Sequence, residues 1–193
     1  MQSPEPPFLI LTCGLTGTGK STIASAVAER LGATLLRSDV IRKEIAGAPQ
    51  NQHGSAGFGE GIYSEDYFEK TYNLLMEKGR LLMDKGGHVI LDASFKKRRY
   101  RTGARRIAEG LGAAFLLIEC ICPEEEARRR LDSRNAEKTD ISDGRWEIYA
   151  AQKADFEAVD EVPENEHLVL DTNKDMKDSV NKVLKKLEAL SHG

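Results

Sequence analysis

Four positions in the stretch GLTGTGKST, namely Gly14, Gly19, Lys20 and Ser21, fit the spacing G-x-x-x-x-G-K-[ST]. Residue types in that pattern suit the holding of phosphate. Glycines let backbone amides approach an anion without a side-chain clash, a lysine ammonium neutralises the β and γ phosphates, and a serine hydroxyl reaches Mg²⁺. Gly14, Thr16, Gly17, Thr18, Gly19, Lys20, Ser21 and Thr22 are therefore the candidate nucleotide cradle. A dinucleotide fingerprint, G-x-G-x-x-G, is excluded because the run ends in Gly-Lys-Ser.

Further chemistry lies downstream. In RSDVIRKEI, Asp39 and Arg42 are three apart and share one helical face. Beside a transferring phosphoryl group, the carboxylate would accept the proton of an attacking hydroxyl and the guanidinium would grip phosphate oxygens; the alternative is a helix-capping aspartate with a surface arginine. Asp92 closes the apolar run HVIL, where an acidic residue can support Mg²⁺ alongside Ser21, or else cap the next helix. Arg130 and Arg134 are four apart, ahead of a polar stretch suited to close as a lid at about 133–145. They would stabilise transition-state charge there, or simply pair with Glu126 and its neighbours. The stretch KKRRYRTGARR carries seven basic residues between Lys96 and Arg106. A helix cannot aim all of them at one ligand, so most are read as a solvated face, with one or two reaching an acceptor. Trp146 and Tyr149 read as packing at the base of the lid. The histidines and the three cysteines lack metal-ligand spacing, so neither a zinc site nor a thiol nucleophile is expected.

The elements that must position these groups alternate along the chain. FLILTCG (8–14) reads as a strand, followed by a helix carrying Ile23, Val27 and Leu31 that stops at Gly32. ATLLRS (33–38), HVILDAS, AAFLLIECIC and HLVLDT (167–172) supply four more strands. Between and after them the pattern predicts helices over 39–46, from Ser64 to the paired glycines, over 96–111, from Pro123 to about Arg134, over 143–158, and through Val180, Val183, Leu184 and Leu187. A polar, glycine-rich loop is expected over 47–62. Strand–helix alternation implies right-handed crossovers and a parallel sheet covered on both faces, a three-layer α/β fold whose ligands sit beyond the carboxyl ends of the strands. With 193 residues, one domain spanning 1–193 is expected. A net charge of −3 argues against a protein that coats polyanions, and no run approaches the roughly 18 apolar residues of a membrane span. Sparse cysteines fit a reducing, cytoplasmic setting.

Taken together, GLTGTGKST, RSDVIRKEI, HVILDASFKKRR and EARRRLDSR with ISDGRWEIYAAQ resemble the predicted-kinase AAA domain family of P-loop NTPases, near the zeta-toxin and polynucleotide-kinase groups. Members are often fused behind an aminoglycoside-phosphotransferase-like domain, which these 193 residues do not contain. The resemblance implies a five-stranded parallel sheet in the order 2-3-1-4-5, ATP as the nucleotide, and Mg²⁺. Asp39 and Arg42 match the D-x-x-R of 5′-hydroxyl polynucleotide kinases, whose aspartate is the base and whose arginine binds the transferring phosphate. Nucleoside monophosphate kinases also carry D-x-x-R, but they follow strand three with Gly-x-Pro-Arg, where this chain has DASFKKRR. Gluconate-type kinases place His-Pro after the aspartate, which is missing too. The expected activity is transfer of the γ-phosphate of ATP to a hydroxyl of a small molecule such as a sugar, nucleoside or antibiotic. The alternatives are a 5′-hydroxyl polynucleotide kinase using the basic helix as its nucleic-acid face, and an ATP-binding regulatory module without transfer. No membrane partner is expected, and the sequence carries no signature of an oligomeric state.

Overall fold

A computed structural model describes residues 6–47, 64–137 and 146–191. Five strands, β1 (Phe8–Cys13), β2 (Thr34–Arg37), β3 (Val89–Asp92), β4 (Ala114–Ile121) and β5 (His167–Asp171), form one parallel sheet in the order β2-β3-β1-β4-β5. Around it lie α1 (Lys20–Leu31), α2 (Ser38–Ile45), α3 (Glu65–Met83), α4 (Arg98–Gly110), α5 (Glu124–Glu137), α6 (Trp146–Ala154) and α7 (Met176–Ser191). The order is the one that the family resemblance implies. The segment expected as a loop over 47–62 lies, past Gly47, outside the described residues, as does most of the expected lid.

Because side chains alternate along a strand, apolar runs buried on both faces feed two separate cores. Leu9, Leu11, Val89, Leu91, Phe115 and Leu117 point to the face covered by α3 and α4, where they meet Tyr72, Leu75, Tyr100 and Ala104. Ile10, Ile90, Leu116, Ile118 and Cys120 point the other way, against Ile23 and Val27 of α1 and Val183 and Leu187 of α7. The two cores clamp β1 centrally, and its neighbours place Thr12 level with Asp92 of β3 and with Ile118 of β4. Arg37 of β2 is level with Asp92 from the other side. The strands' carboxyl ends thus form one rim, and the charged groups of the sequence motifs collect on it.

Two sequence expectations need correction. The helix expected over 143–158 runs only Trp146–Ala154 among the described residues, and the chain from Asp155 to Pro163 continues as a non-helical strap along α4. Its acidic side chains find better partners there than a continued helix would give them. Glu157 accepts the Arg98 amide at the open end of α4 at 2.7 Å, Asp160 pairs with Arg98, and Glu161 takes Arg101 at 2.5 Å. Arg105 likewise bonds Glu166 at 2.5 Å. The basic helix is therefore not mainly a solvated face. Arg101 has 0% exposure, and it also donates to the carbonyls of Phe95 and Ala158, each at 2.9 Å.

This strap leads to a stability prediction. Burial opposes ionisation of Glu161, but the bonds from Arg101 outweigh it and hold the carboxyl below its usual range. A depressed folded value means that the stabilisation is present above the unfolded value near pH 4.5 and is lost as pH falls through the lower folded value. Glu161→Gln removes the charge-assisted bonds and is expected to cost about 2 kcal/mol at pH 7. The deficit relative to wild type should shrink below about pH 4, as followed by denaturant melts across pH.

Candidate active site

The phosphate loop joins the buried end of β1 to α1. Gly14 has φ of 130°, and a Cβ there would lie 2.4 Å from the carbonyl oxygen of Cys120, so only glycine fits where the loop leaves the sheet. Gly17 and Gly19 also take positive φ, 78° and 82°, turning the chain so that α1 opens at Lys20. With no acidic side chain in the first turn and no side-chain cap, the helix end presents free amides and a partial positive charge. Thr18 Oγ1 donates back to the Leu15 carbonyl at 2.8 Å, tightening the turn. Lys20 Nζ donates to the same carbonyl at 2.6 Å. Burial pushes the Lys20 ammonium below its ordinary value, with Asp92 acting against that shift. A desolvated cation beside the loop amides suits a polyanion, so these residues fit the phosphates of a nucleotide. Thr22, by contrast, is exposed in the first turn of α1.

Asp92 stands at the carboxyl end of β3 and is 4% exposed. Thr12 Oγ1 donates to its Oδ1 at 2.9 Å, and Arg37 Nε lies 3.5 Å from its Oδ2. Helix capping is not its task, since α4 begins only at Arg98 with Lys97 in the cap position. Thr12 and Arg37 were not singled out in the sequence; a lone threonine in an apolar strand is legible there, but that it faces Asp92 follows only from the strand register. Between Asp92 and α4 the chain turns through Phe95, a buried residue at φ 40°. That unfavourable backbone is held by Tyr72 Oη, which accepts the Phe95 amide at 3.0 Å, and by Arg101 on its carbonyl. The turn delivers Ser94, Lys96 and Lys97 to the rim.

Asp39 lies in the first turn of α2, whose cap position is Arg37 and which has no side-chain cap bond, so Asp39 is not spent on capping. Arg42 Nη1 donates to Asp39 Oδ1 at 2.7 Å, orienting the carboxylate. A cavity of about 460 Å³ brings these groups together: Thr16, Gly17, Gly19, Lys20 and Ser21 of the loop, Asp39 and Arg42 of α2, and Asp92 of β3 all line it. Its far wall holds Phe68, Lys96, Lys97 and Arg99, with Arg134, Gln152 and Asp155. Asp155 Oδ2 and Oδ1 accept from Lys96 and Lys97, each at 2.5 Å. Gln152 gave no signal in the sequence, yet its Oε1 accepts the Thr16 amide at 2.8 Å.

A second cavity of about 230 Å³, lined by Gly19, Thr22, Arg130, Arg134, Thr172 and Met176, adjoins the first through Gly19 and Arg134. Arg130 is fixed on its wall: it donates to Glu126 at 2.7 Å and to the Thr172 hydroxyl and carbonyl at 3.0 and 2.9 Å. Bonds from Arg129 and Arg130 hold the Glu126 carboxyl down at about 2, so this pairing persists at any working pH. Trp146 stacks on Tyr149 at 4.7 Å and packs with Ala127, Leu131 and Leu15 beneath the loop. Burial pushes the thiols of Cys13 and Cys120 up to about 12. Iodoacetamide at pH 8 should therefore label the folded protein at Cys122 alone among the three, slowly, as read by peptide mass mapping. Among the described residues no three His, Cys, Asp or Glu side chains cluster as metal ligands, and no helix is long and apolar enough to cross a membrane.

Residues 9–159 match the AAA domain family. An uncharacterized protein of Mycobacterium tuberculosis is 30% identical over 149 residues, covering 77% of this chain and 30% of the relative. This chain thus spans less than a third of the length of the curated relatives it matches. Among solved structures, a sugar kinase from Janibacter sp. HTCC2649 is similar at TM-score 0.68 and 23% identity, covering 95% of each chain. The Mycobacterium tuberculosis APS kinase, solved in complex with AMPPNP and APS, is similar at TM-score 0.65 and 23% identity, covering 96% of this chain and 99% of that one. These likenesses show a shared fold.

Proposed function

This chain belongs to the AAA domain family, and from that premise we propose that it is an ATP-dependent, Mg²⁺-assisted phosphotransferase acting on a hydroxyl group of a small molecule in the cytoplasm. One observation carries the proposal: a single cavity of about 460 Å³ is lined at once by a phosphate-binding loop, a carboxylate–guanidinium pair and a buried carboxylate. That volume is in the range of small-molecule sites, roughly 300–1,000 Å³. The base of ATP goes to the cavity bounded by Thr22, Arg130 and Thr172, and the phosphates lie over the loop amides and Lys20. Ser21 and Asp92 offer the hydroxyl and carboxylate oxygens that a hard cation prefers, and Mg²⁺ held there would neutralise charge on the terminal phosphates.

Asp39 accepts the proton of the acceptor hydroxyl as that oxygen bonds to the γ-phosphorus and the bond to the β-phosphate oxygen breaks, leaving ADP and a phosphate ester. Arg42 keeps Asp39 aimed and meets the transferring oxygens. Lys20 follows the charge that develops on the β,γ-bridge, and Arg134, placed on both cavities, supplies further positive charge. Arg130, engaged by Thr172 and Glu126, supports the base side.

The acceptor is read as small because Arg98, Arg101 and Arg105 of α4 are already matched by Asp160, Glu161 and Glu166, which reduces the basic surface that a polynucleotide needs. The test is ADP production from MgATP with panels of sugars, nucleosides and aminoglycosides, and with 5′-hydroxyl oligonucleotides. Stimulation by one small-molecule class and none by oligonucleotides is expected. Stimulation by oligonucleotides that fades steeply with salt would replace this reading with a polynucleotide kinase.

A further inference from the structure

Gln152 has no part in the transfer chemistry above, yet its side chain rests on the phosphate loop. Its Oε1 accepts the Thr16 amide at 2.8 Å, although the two residues are 136 apart in sequence. Thr16 lines only the larger cavity, with Asp39 and Arg42, Thr22 lines only the smaller one, with Thr172, and Gly19 lies on both. With the base in the smaller cavity, a phosphate chain laid along the loop would run from Thr22 towards Thr16, its last unit nearest the Thr16 amide. Gln152 thus occupies a loop donor at the end of the loop where a third phosphate would lie.

The placement is not left to chance. Ile148 and Gln152 are four apart on the face of α6 that lines the cavity. Trp146 and Tyr149 anchor the helix under the loop, and Asp155 just past its end is held by Lys96 and Lys97. Resting on the reading of the loop as an ATP site, we propose that Gln152 is a specificity-determining residue that tempers the preference for nucleoside triphosphate over diphosphate by competing with the third phosphate for the Thr16 amide. Its carbonyl satisfies the Thr16 amide while the third phosphate is absent and gives way when that phosphate arrives. The exchange replaces a neutral hydrogen bond with a charge-assisted one about twice as strong, so triphosphate wins, but by less than it would against a free amide. After transfer the carbonyl returns, and the Thr16 amide is not left unsatisfied beside bound ADP.

The test is calorimetric affinity of the full chain for MgAMP-PNP and MgADP in wild type, Gln152→Met and Gln152→Glu. Methionine keeps the length and removes the competing carbonyl, so AMP-PNP should bind about two- to tenfold more tightly, while ADP stays within about twofold. Glutamate sets a carboxylate against the third phosphate, so AMP-PNP should weaken by about tenfold or more, with ADP far less affected. Either variant suffices if the other fails to fold, which thermal melting reports. Equal shifts for the two nucleotides, or none, would overturn the proposal by reducing Gln152 to a tether for α6. A wild-type chain that binds neither nucleotide would remove the ATP reading itself, a result distinct from binding without discrimination.

Discussion

Asp39→Asn is expected to slow phosphoryl transfer about 10²- to 10⁴-fold while leaving the affinity for MgATP within about threefold of wild type. The amide keeps the shape of the carboxylate and an oxygen for Arg42, now 2.7 Å from Asp39 Oδ1, so the pair's geometry survives. What goes is the capacity to take the proton of the attacking hydroxyl. Asp39 lines the larger cavity but not the smaller one, where the base is proposed to lie, which is why binding and chemistry should separate at this residue. Single-turnover transfer, measured beside calorimetric ATP binding, checks both halves. A variant that transfers near the wild-type rate would dismiss Asp39 as the base.

Lys20→Ala should lower transfer about 10²- to 10³-fold and also weaken ATP binding, because this ammonium meets phosphate charge in the ground state and more of it in the transition state. The same change should leave the fold at least as stable. Burial depresses the Lys20 pKa, so the charged form is less favourable in the folded protein than in the unfolded chain, and removing it relieves that cost. The sign differs from that of Glu161, whose depressed carboxyl pKa marks an interaction that stabilises the fold. Thermal melting without nucleotide is expected at or above the wild-type midpoint, and the wild type should overtake the variant once MgATP saturates it. A large fall in the midpoint without nucleotide would assign Lys20 a structural role instead.

How much of this site could be read in the sequence depended on the range of the interactions. The loop and the Asp39–Arg42 pair are local: glycine spacing and a three-residue interval on a helix fix them, so they were legible without a structure. So was the alternation of strands and helices, because each apolar run carries its own period. The strand order came through family resemblance, since no local pattern states which strand lies beside which. Pairings across the sheet and around it were hidden. Thr12 and Asp92 are 80 residues apart, and Arg101 meets Glu161 across 60. A run of basic residues looks like a solvated face until the acidic strap that covers it is placed, and the strap itself looked helical because Asp155 to Ala158 carry no glycine or proline to stop a helix. Gln152 was the least legible, as a glutamine inside a helix has no pattern that points to a backbone amide elsewhere.

The measurement that bears most directly on the central claim follows the γ-phosphate itself. With γ-labelled MgATP, the full chain and a panel of small hydroxyl compounds beside 5′-hydroxyl oligonucleotides, the label should leave ATP and appear as a phosphate ester on a small molecule, and should fail to do so with Asp39→Asn. Label found only on oligonucleotides, or ATP bound tightly with no labelled acceptor and Asp39→Asn indistinguishable from wild type, would contradict it.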